Sequence, residues 1–253
     1  MTMGRPGHFA HTTPTNEDEG DARVGRWRRL ARLAAMDVGP LRRHRDFRLL
    51  YISRAVSFFG SMITYVAIPY QAYQLTHSSL AVGLLGLTEL VPILLFAFVG
   101  GALADAWDRR RMVQLTELAL AVMSGLLALN ALLPRPHLWA LYAVAAAMAG
   151  LDALQRPSLD ALLPRLVERD ELTAAAALSS LVSTAGMVAG PALGGVLVAT
   201  IGLTGAYAVD VATFVVSLAA LRLMRAVPPP PDAARPSLRR VMEGLRYARG
   251  VPS

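Results

Sequence analysis

Gly101–Arg111 reads GALADAWDRRR and separates two long apolar runs of the chain. The run from Leu80 to Ala104 ends at this stretch, and a second apolar run begins immediately after it. Arginine clusters that flank membrane spans are retained on the cytoplasmic side. The stretch therefore predicts a short cytoplasmic loop between two transmembrane helices.

Composition places the whole chain in the membrane class. Of its 253 residues, 54% are hydrophobic and 17% are charged, and the mean hydropathy is +0.42. Soluble domains carry about 25% charged residues. All 25 basic residues are arginine, which excludes a phosphate-binding loop of the Gly-Lys-Ser/Thr type and hence an ATP-hydrolysing core. The chain has no cysteine, which excludes disulfides and thiol ligands.

The net charge of +7 has a topological explanation. The arginines cluster at the ends of apolar runs, so we interpret them as orientation signals and expect no nucleic-acid partner. No Ser-His-Asp set or paired-carboxylate set indicates an enzyme, and we expect no cofactor and no bound metal.

Six apolar runs have the ~20 residues that a ~30 Å hydrocarbon core requires. They are continuously apolar, which favours helices over the alternating strands of a membrane barrel. We predict spans at Leu49–Leu75, Leu80–Ala104, Met112–Leu133, Leu138–Leu163, Leu172–Thr200 and Leu203–Leu221.

Arginine is distributed unequally between alternate loops. One set of loops holds a single arginine, Arg135. The other set and the two flanks hold many, at positions 42, 43, 45, 48, 109–111, 165, 169, 222 and 225. Both termini are therefore predicted to be cytoplasmic.

The chain divides into three predicted parts. Residues 1–40 have the composition of a disordered, basic cytoplasmic tail. Residues 41–226 form the six-helix bundle. Residues 227–253 begin a cytoplasmic loop in which an amphipathic helix follows Ser237, and we expect the chain to be truncated within that loop.

The loop at Gly101–Arg111 resembles the signature of the major facilitator superfamily, roughly G-x-L-a-D-r-x-G-r-k. Two positions depart from the pattern: Ala106 replaces a basic residue and Asp108 replaces the loop glycine. The resemblance implies an inner-gate charge network of Asp105, Arg109 and, at the end of the fourth span, Asp160.

The fifth span contains a second signature. Its residues Gly186, Gly190, Pro191, Gly194 and Gly195 form the string g-x-x-x-G-P-x-x-G-G. Glycines spaced by four share one helix face and let another helix backbone approach closely. The full string is similar to the motif of superfamily antiporters that export, which favours efflux over uptake.

The segment from Gln155 to Glu168 carries a third likeness. It reads QRPSLDALLPRLVE and resembles the transmembrane secretion effectors, the branch with enterobactin-exporter-like and macrolide-efflux-like proteins. The likeness extends over residues 41–253. It implies that the chain is the amino-terminal half of a twelve-helix fold. In that fold each half consists of two three-helix repeats that are inverted copies of one another.

Ionisable groups within membrane spans are costly and are therefore candidates for function. Glu89 and Asp152 are the deepest carboxylates, and we predict that they carry protons. Glu89 ranks first because Arg156 lies one turn from Asp152. Glu117 lies one or two turns from the inner surface and can be interpreted as a residue that snorkels to it, and Asp210 lies near the outer end of its span.

The leading hypothesis is a secondary transporter of a bacterial cytoplasmic membrane. It exports a small molecule by proton antiport and completes its site with a missing six-helix half or a second copy. An uptake permease of the same fold and a non-transporting half-protein that acts through a partner remain alternatives.

Overall fold

Long helices joined by short turns make up the structure, a computed structural model that describes residues 37–106 and 108–225. Side chains at 98–106 lie outside that description, as do most of the predicted tail and the predicted amphipathic helix. The helices are α1 (Gly39–Arg43), α2 (Arg45–Thr76), α3 (Ser79–Ala106), α4 (Arg109–Leu132), α5 (Leu138–Leu162) and α6 (Leu172–Arg222). Two short 3-10 helices, Leu163–Arg165 and Arg169–Glu171, connect α5 to α6.

Among the described residues, five helices are long and apolar enough to cross a membrane. Four of the predicted spans match one helix each to within a few residues, and the fifth and sixth predicted spans both lie in α6. The last, α6, has 51 residues. A straight helix of that length would extend ~76 Å, about twice the thickness of a bilayer. Its backbone is non-helical at Gly202, where φ is 73° and ψ is 177°. We call residues 172–201 α6a and residues 203–222 α6b.

The two parts of α6 run in opposite directions along α2. In α6a, Gly186 lies against Phe58 and Gly194 against Ile63, so residue numbers rise together along both helices. In α6b, Tyr207 contacts Gln71 and Ser217 contacts Ser53, so residue numbers rise along α6b as they fall along α2. The chain therefore reverses its direction at Gly202.

The charged ends of the helices meet at one end of the bundle, which we call the arginine end. There, Leu50 of α2, Val113 of α4, Leu162 of α5 and Leu221 of α6b form one buried cluster. At the opposite end, Tyr142 donates to the carbonyl of Ala81. The main core cluster joins α2, α3, α4, α5 and α6b.

Asp108 begins α4 as its N-cap. Its carboxylate accepts the backbone N–H groups of Arg110 and Arg111 at 2.9 and 3.3 Å. Capping of this kind satisfies donors that have no partner inside the helix. Asp108, one of the two departures from the loop signature, therefore has a local role as the residue that caps the next helix.

Arg110 closes the far end of α6b. Its Nε donates to the carbonyl of Leu221 at 3.0 Å, and a terminal guanidinium nitrogen donates to the carbonyl of Arg222 at 2.9 Å. Gln114 donates to the Leu221 carbonyl as well, at 3.0 Å. The last carbonyls of a helix lack partners within it and attract cations. The loop between α3 and α4 is thereby fixed to the end of α6.

Candidate transport cavity

A cavity of about 800 Å³ lies between α2, α3 and α5. Apolar side chains from the three helices form most of its wall, and polar groups are few. The polar and charged lining residues are Ser61, Thr64, Tyr65, Glu89, Asp152, Arg156 and Asp160. Small-molecule sites in proteins combine an apolar wall with a small number of polar groups in this way.

The four charged residues of the cavity come from two facing helices. Glu89 projects from α3 and is half-buried. Asp152, Arg156 and Asp160 follow one another at intervals of four on α5, so they share a helix face and form a stripe along the cavity. Asp152 interacts electrostatically with Arg156 and with Glu89. The structure thus brings both predicted proton carriers to one cavity.

The predicted inner-gate residues lie at the arginine end. A guanidinium nitrogen of Arg109 donates to the carbonyl of Ala161 at 3.4 Å, one residue after Asp160. Asp160 itself lines the end of the cavity. Asp105 belongs to the last turn of α3, and its side chain is outside the description. The structure therefore brings Arg109 and the end of α5 together.

The glycine string of the fifth predicted span lies in α6a. A Cβ atom added at Gly190 would lie 2.4 Å from the Cβ of Met62, and one at Gly194 would lie 3.1 Å from the Cα of Ile63. Gly186 meets Phe58 in the same way, whereas Gly195 faces open space. Pro191 lies between them inside the helix. Three of the four glycines therefore lie where α2 and α6a approach closely.

Glu117 is buried in the bundle, so the interpretation that it snorkels to the surface is wrong. Its side chain is 4% exposed. Its Oε1 accepts from Ser57 at 3.1 Å and from Gln155 at 3.4 Å. Polar neighbours on two other helices allow this carboxyl to stay inside. A one-dimensional sequence gave no sign of them because they are distant in the chain.

Asp210 is the second buried carboxyl that sequence reasoning left undecided. It is 0% exposed. Thr64 and Ser124 donate to its Oδ2 at 2.6 and 2.5 Å, and Thr213 lies 3.4 Å from its Oδ1. The residue lies where α2, α4 and α6b meet, inside the bundle.

Metal ligation is not indicated in the part of the chain that the structure describes, since no three His, Asp or Glu side chains there converge. The arrangement instead offers a small molecule an apolar wall with opposing carboxylates and one arginine. Carboxylates at such a site can also accept and release protons, which makes ion coupling chemically possible.

Comparison with known proteins gives a consistent result. A family model described as "Transmembrane secretion effector" matches residues 35–252. The enterobactin exporter EntS of Shigella boydii serotype 18 is 32% identical over 217 residues, which cover 86% of this chain and 52% of that protein. The enterobactin exporters of Escherichia coli O1:K1 and Citrobacter koseri are 31% and 32% identical with the same coverage. The chain thus spans about half the length of the curated relatives it matches.

The resemblance drawn from the sequence motifs is confirmed by the family match. Apolar helices of membrane length agree with a multi-pass membrane protein. The family transports solutes and is not a class of enzymes. We conclude that this chain belongs to the transmembrane secretion effectors, a family of major facilitator transporters.

Proposed function

We propose that the chain forms the amino-terminal half of a proton-driven exporter of small molecules in a bacterial cytoplasmic membrane. The observation that carries this proposal is the cavity between α2, α3 and α5, with its apolar wall and opposed charges. The relatives' printed name, enterobactin exporter, supports export as the direction and a siderophore-like molecule as the substrate.

Six membrane crossings are part of the proposal. The reversal at Gly202 supports it, because α6a and α6b lie along α2 in opposite directions. Each part has the ~20 or more residues needed for one crossing. With both termini on the cytoplasmic side, the arginine end faces the cytoplasm, in agreement with the positive-inside rule.

A second six-helix half completes the site. The cavity wall comes from three helices of this chain, and α3 exposes a row of large apolar side chains. The relatives are about twice as long as the matched region, which leaves room for such a half. We propose that substrate binds between the halves and that the two halves rock about it in alternating access.

Glu89 and Asp152 are proposed as the proton carriers. Both face the cavity, so each can be reached from the solution that fills it. Arg156 lies one turn from Asp152 and interacts with it electrostatically. We therefore propose Glu89 as the first of the two to test, because Asp152 has a charged neighbour on its own helix. Asp105, Arg109 and Asp160 are proposed as the gate at the arginine end.

The deciding experiment measures flux in inside-out vesicles. We expect vesicles that contain the full-length protein to accumulate enterobactin, or failing that a small apolar dye, when a pH gradient is imposed. Collapse of the gradient with a protonophore should abolish accumulation. Loss of substrate from the vesicles instead would identify an uptake permease.

A matched sample tests whether two halves are needed. Residues 1–253 alone should insert in the membrane without flux, because half of the cavity wall would be absent. Co-expression of the second half should restore flux. Full activity from residues 1–253 alone would instead indicate a homodimer, and absence of flux from both samples would favour the non-transporting alternative.

A further inference from the structure

Asp210 is a buried carboxyl whose shell consists of hydroxyl groups. Thr64 of α2, Ser124 of α4 and Thr213 of α6b surround it. Among the described residues no arginine or histidine forms an ion pair with it. Within the described residues, Asp152 of α5 and Tyr207 of its own helix are the titratable groups that interact with it electrostatically.

Hydroxyl partners differ from arginine in one chemical respect. A hydroxyl both donates and accepts hydrogen bonds, whereas a guanidinium only donates. An arginine would therefore hold the carboxyl in its anionic form. Thr64 and Ser124 satisfy the anion by donating to it, and after rotation of the O–H bond they accept equally well from a neutral acid. The shell is thus compatible with both protonation states of Asp210.

The contacts at Asp210 Oδ2 are short hydrogen bonds. The oxygens of Thr64 and Ser124 lie 2.6 and 2.5 Å from Asp210 Oδ2. Separations of ~2.5–2.7 Å are those of direct O–H···O⁻ bonds.

The site also communicates with the cavity. Thr64 is both a donor to Asp210 and part of the cavity wall. Asp152, on the opposite wall, interacts electrostatically with Asp210. Close approach of α2 makes the Thr64 contact possible, since a Cβ at Gly60 would lie only 2.6 Å from Asp210 Oδ1.

We infer that Asp210, Thr64 and Ser124 form a second, buried proton-binding site that is loaded from the cavity through Thr64. In the loading step, the Thr64 hydroxyl passes its proton to Asp210 Oδ2 as it takes another from a hydronium ion in the cavity, which leaves a water molecule there. The anion becomes a neutral acid, and the threonine is restored. Because Asp210 holds α6b against α2 and α4, loading changes the bonds that join these helices. This inference rests on the proposed function, to which it adds a residue.

Infrared difference spectroscopy tests the site directly. The full-length purified protein is titrated with acid in detergent or lipid, and the carbonyl band of protonated carboxyl groups is recorded. We expect Asp210→Asn to remove one component of this band, and Glu89→Gln and Asp152→Asn to remove others. A band unchanged by Asp210→Asn in a folded protein would overturn the inference.

Two substitutions at Thr64 provide a readout that does not depend on Asp210→Asn folding. Thr64→Val keeps the shape but removes the hydroxyl, and Thr64→Ser keeps the hydroxyl. We expect Thr64→Val to shift the Asp210 band and to slow its response to a pH jump, whereas Thr64→Ser should restore both. Equal behaviour of the two variants would contradict the relay.

Flux measured on the same samples separates this inference from the proposed function. Normal export together with an Asp210→Asn spectrum that lacks no band would reject only the second proton site. A titrating Asp210 band in a protein that carries no flux would support the site and reject the proposed transport.

Discussion

At the scale of single residues, Glu89 is the carboxyl on which ion coupling is proposed to depend. It projects into the cavity from α3, and Asp152 faces it from α5. It lies nine residues after Leu80, ~13 Å along the helix at ~1.5 Å per residue, close to the middle of a ~30 Å core. We expect Glu89→Gln to bind substrate but to lose acceleration of export by a pH gradient.

The measurement compares binding with gradient-driven flux in vesicles, and Asp152→Asn is the matched control. Glutamine keeps the size of the side chain and can still contact a substrate, but it cannot exchange a proton. If Glu89→Gln responds fully to the gradient, Glu89 is a packing or substrate-contacting residue, and Asp152 becomes the next candidate.

Asp105 carries the prediction for the gate. It is one residue from the end of α3, and Arg109 four residues later reaches the end of α5. A charge network there would favour the conformation that is closed at the arginine end, and a few kcal/mol suffice to shift such an equilibrium almost completely. We expect Asp105→Asn to abolish export and to leave membrane insertion unchanged.

Flux and membrane fractionation of the same preparation test this prediction, with Asp108→Asn as the control. Asparagine retains an oxygen that caps α4, so that control should keep most of its activity. Export near the wild-type rate in Asp105→Asn would reduce the loop to a topology signal.

The candidate site was only partly predictable at this scale. Glu89 and Asp152 could be selected because their depth follows from counting residues along an apolar run. Asp210 and Glu117 could not, because their importance comes from Thr64, Ser124, Ser57 and Gln155 on other helices. A sequence records which residues are charged but not which hydroxyl groups surround them.

At the scale of elements, Gly202 makes the hairpin within α6. Its φ of 73° with ψ of 177° belongs to a region that only glycine adopts readily. Backbone strain from such a substitution costs on the order of 1–3 kcal/mol. We expect Gly202→Ala to lower the thermal stability of the purified protein clearly.

Gly195→Ala is the matched control for the hairpin, because a Cβ there meets nothing within 4 Å. It should be neutral or slightly stabilising, since alanine has the higher helix propensity. Equal melting temperatures for the two variants would show that α6a and α6b do not depend on this turn.

Arg110 anchors the arginine end at the scale of a helix terminus. Its guanidinium bonds the carbonyls of Leu221 and Arg222. Hydrogen bonds from charged groups contribute about 1.5–3 kcal/mol each, less when solvent reaches them. We expect Arg110→Ala to destabilise the protein more than Arg111→Ala, whose side chain is 81% exposed.

Both substitutions remove one positive charge from the same loop, so their effects on membrane orientation should be equal. Thermal unfolding in detergent provides the comparison. Identical losses of stability would mean that the contact with α6b contributes nothing measurable.

Helix positions were predictable to within a few residues, and the reasons for the exceptions are local. The apolar run predicted a span that begins at Met112. In the structure α4 begins at Arg109, because the N-cap Asp108 accepts the N–H of Arg110 and the three arginines form the first turn of the helix. The break predicted between Thr200 and Leu203 falls at Gly202 in the structure. Pairings such as Ser53 with Ser217 could not be predicted, since hydrophobic patterns do not specify which helices are neighbours.

At the scale of the whole molecule, the positive charges of the described helix ends lie mostly at one end of the bundle. Leu50, Val113, Leu162 and Leu221 cluster at the arginine end, beside the helix ends and loops that hold most of the arginines in the described part of the chain. Positive charge near spans is retained in the cytoplasm. We therefore expect residues 77–79, 134–137 and 201–205 outside, and residues 106–111, 165–171 and 222–253 inside.

The absence of native cysteine allows a direct test of this orientation. Ser78→Cys and Pro136→Cys should react with an impermeant thiol reagent in intact cells. Ser237→Cys, beyond the described residues, should react only after the membrane is opened. The reason is that the arginines after the last span, Arg222 and Arg225, keep the segment that follows them in the cytoplasm. Reaction of Ser237→Cys but not of Ser78→Cys in intact cells would reverse the orientation. The cavity would then have to load from the opposite side, and export as proposed would be excluded.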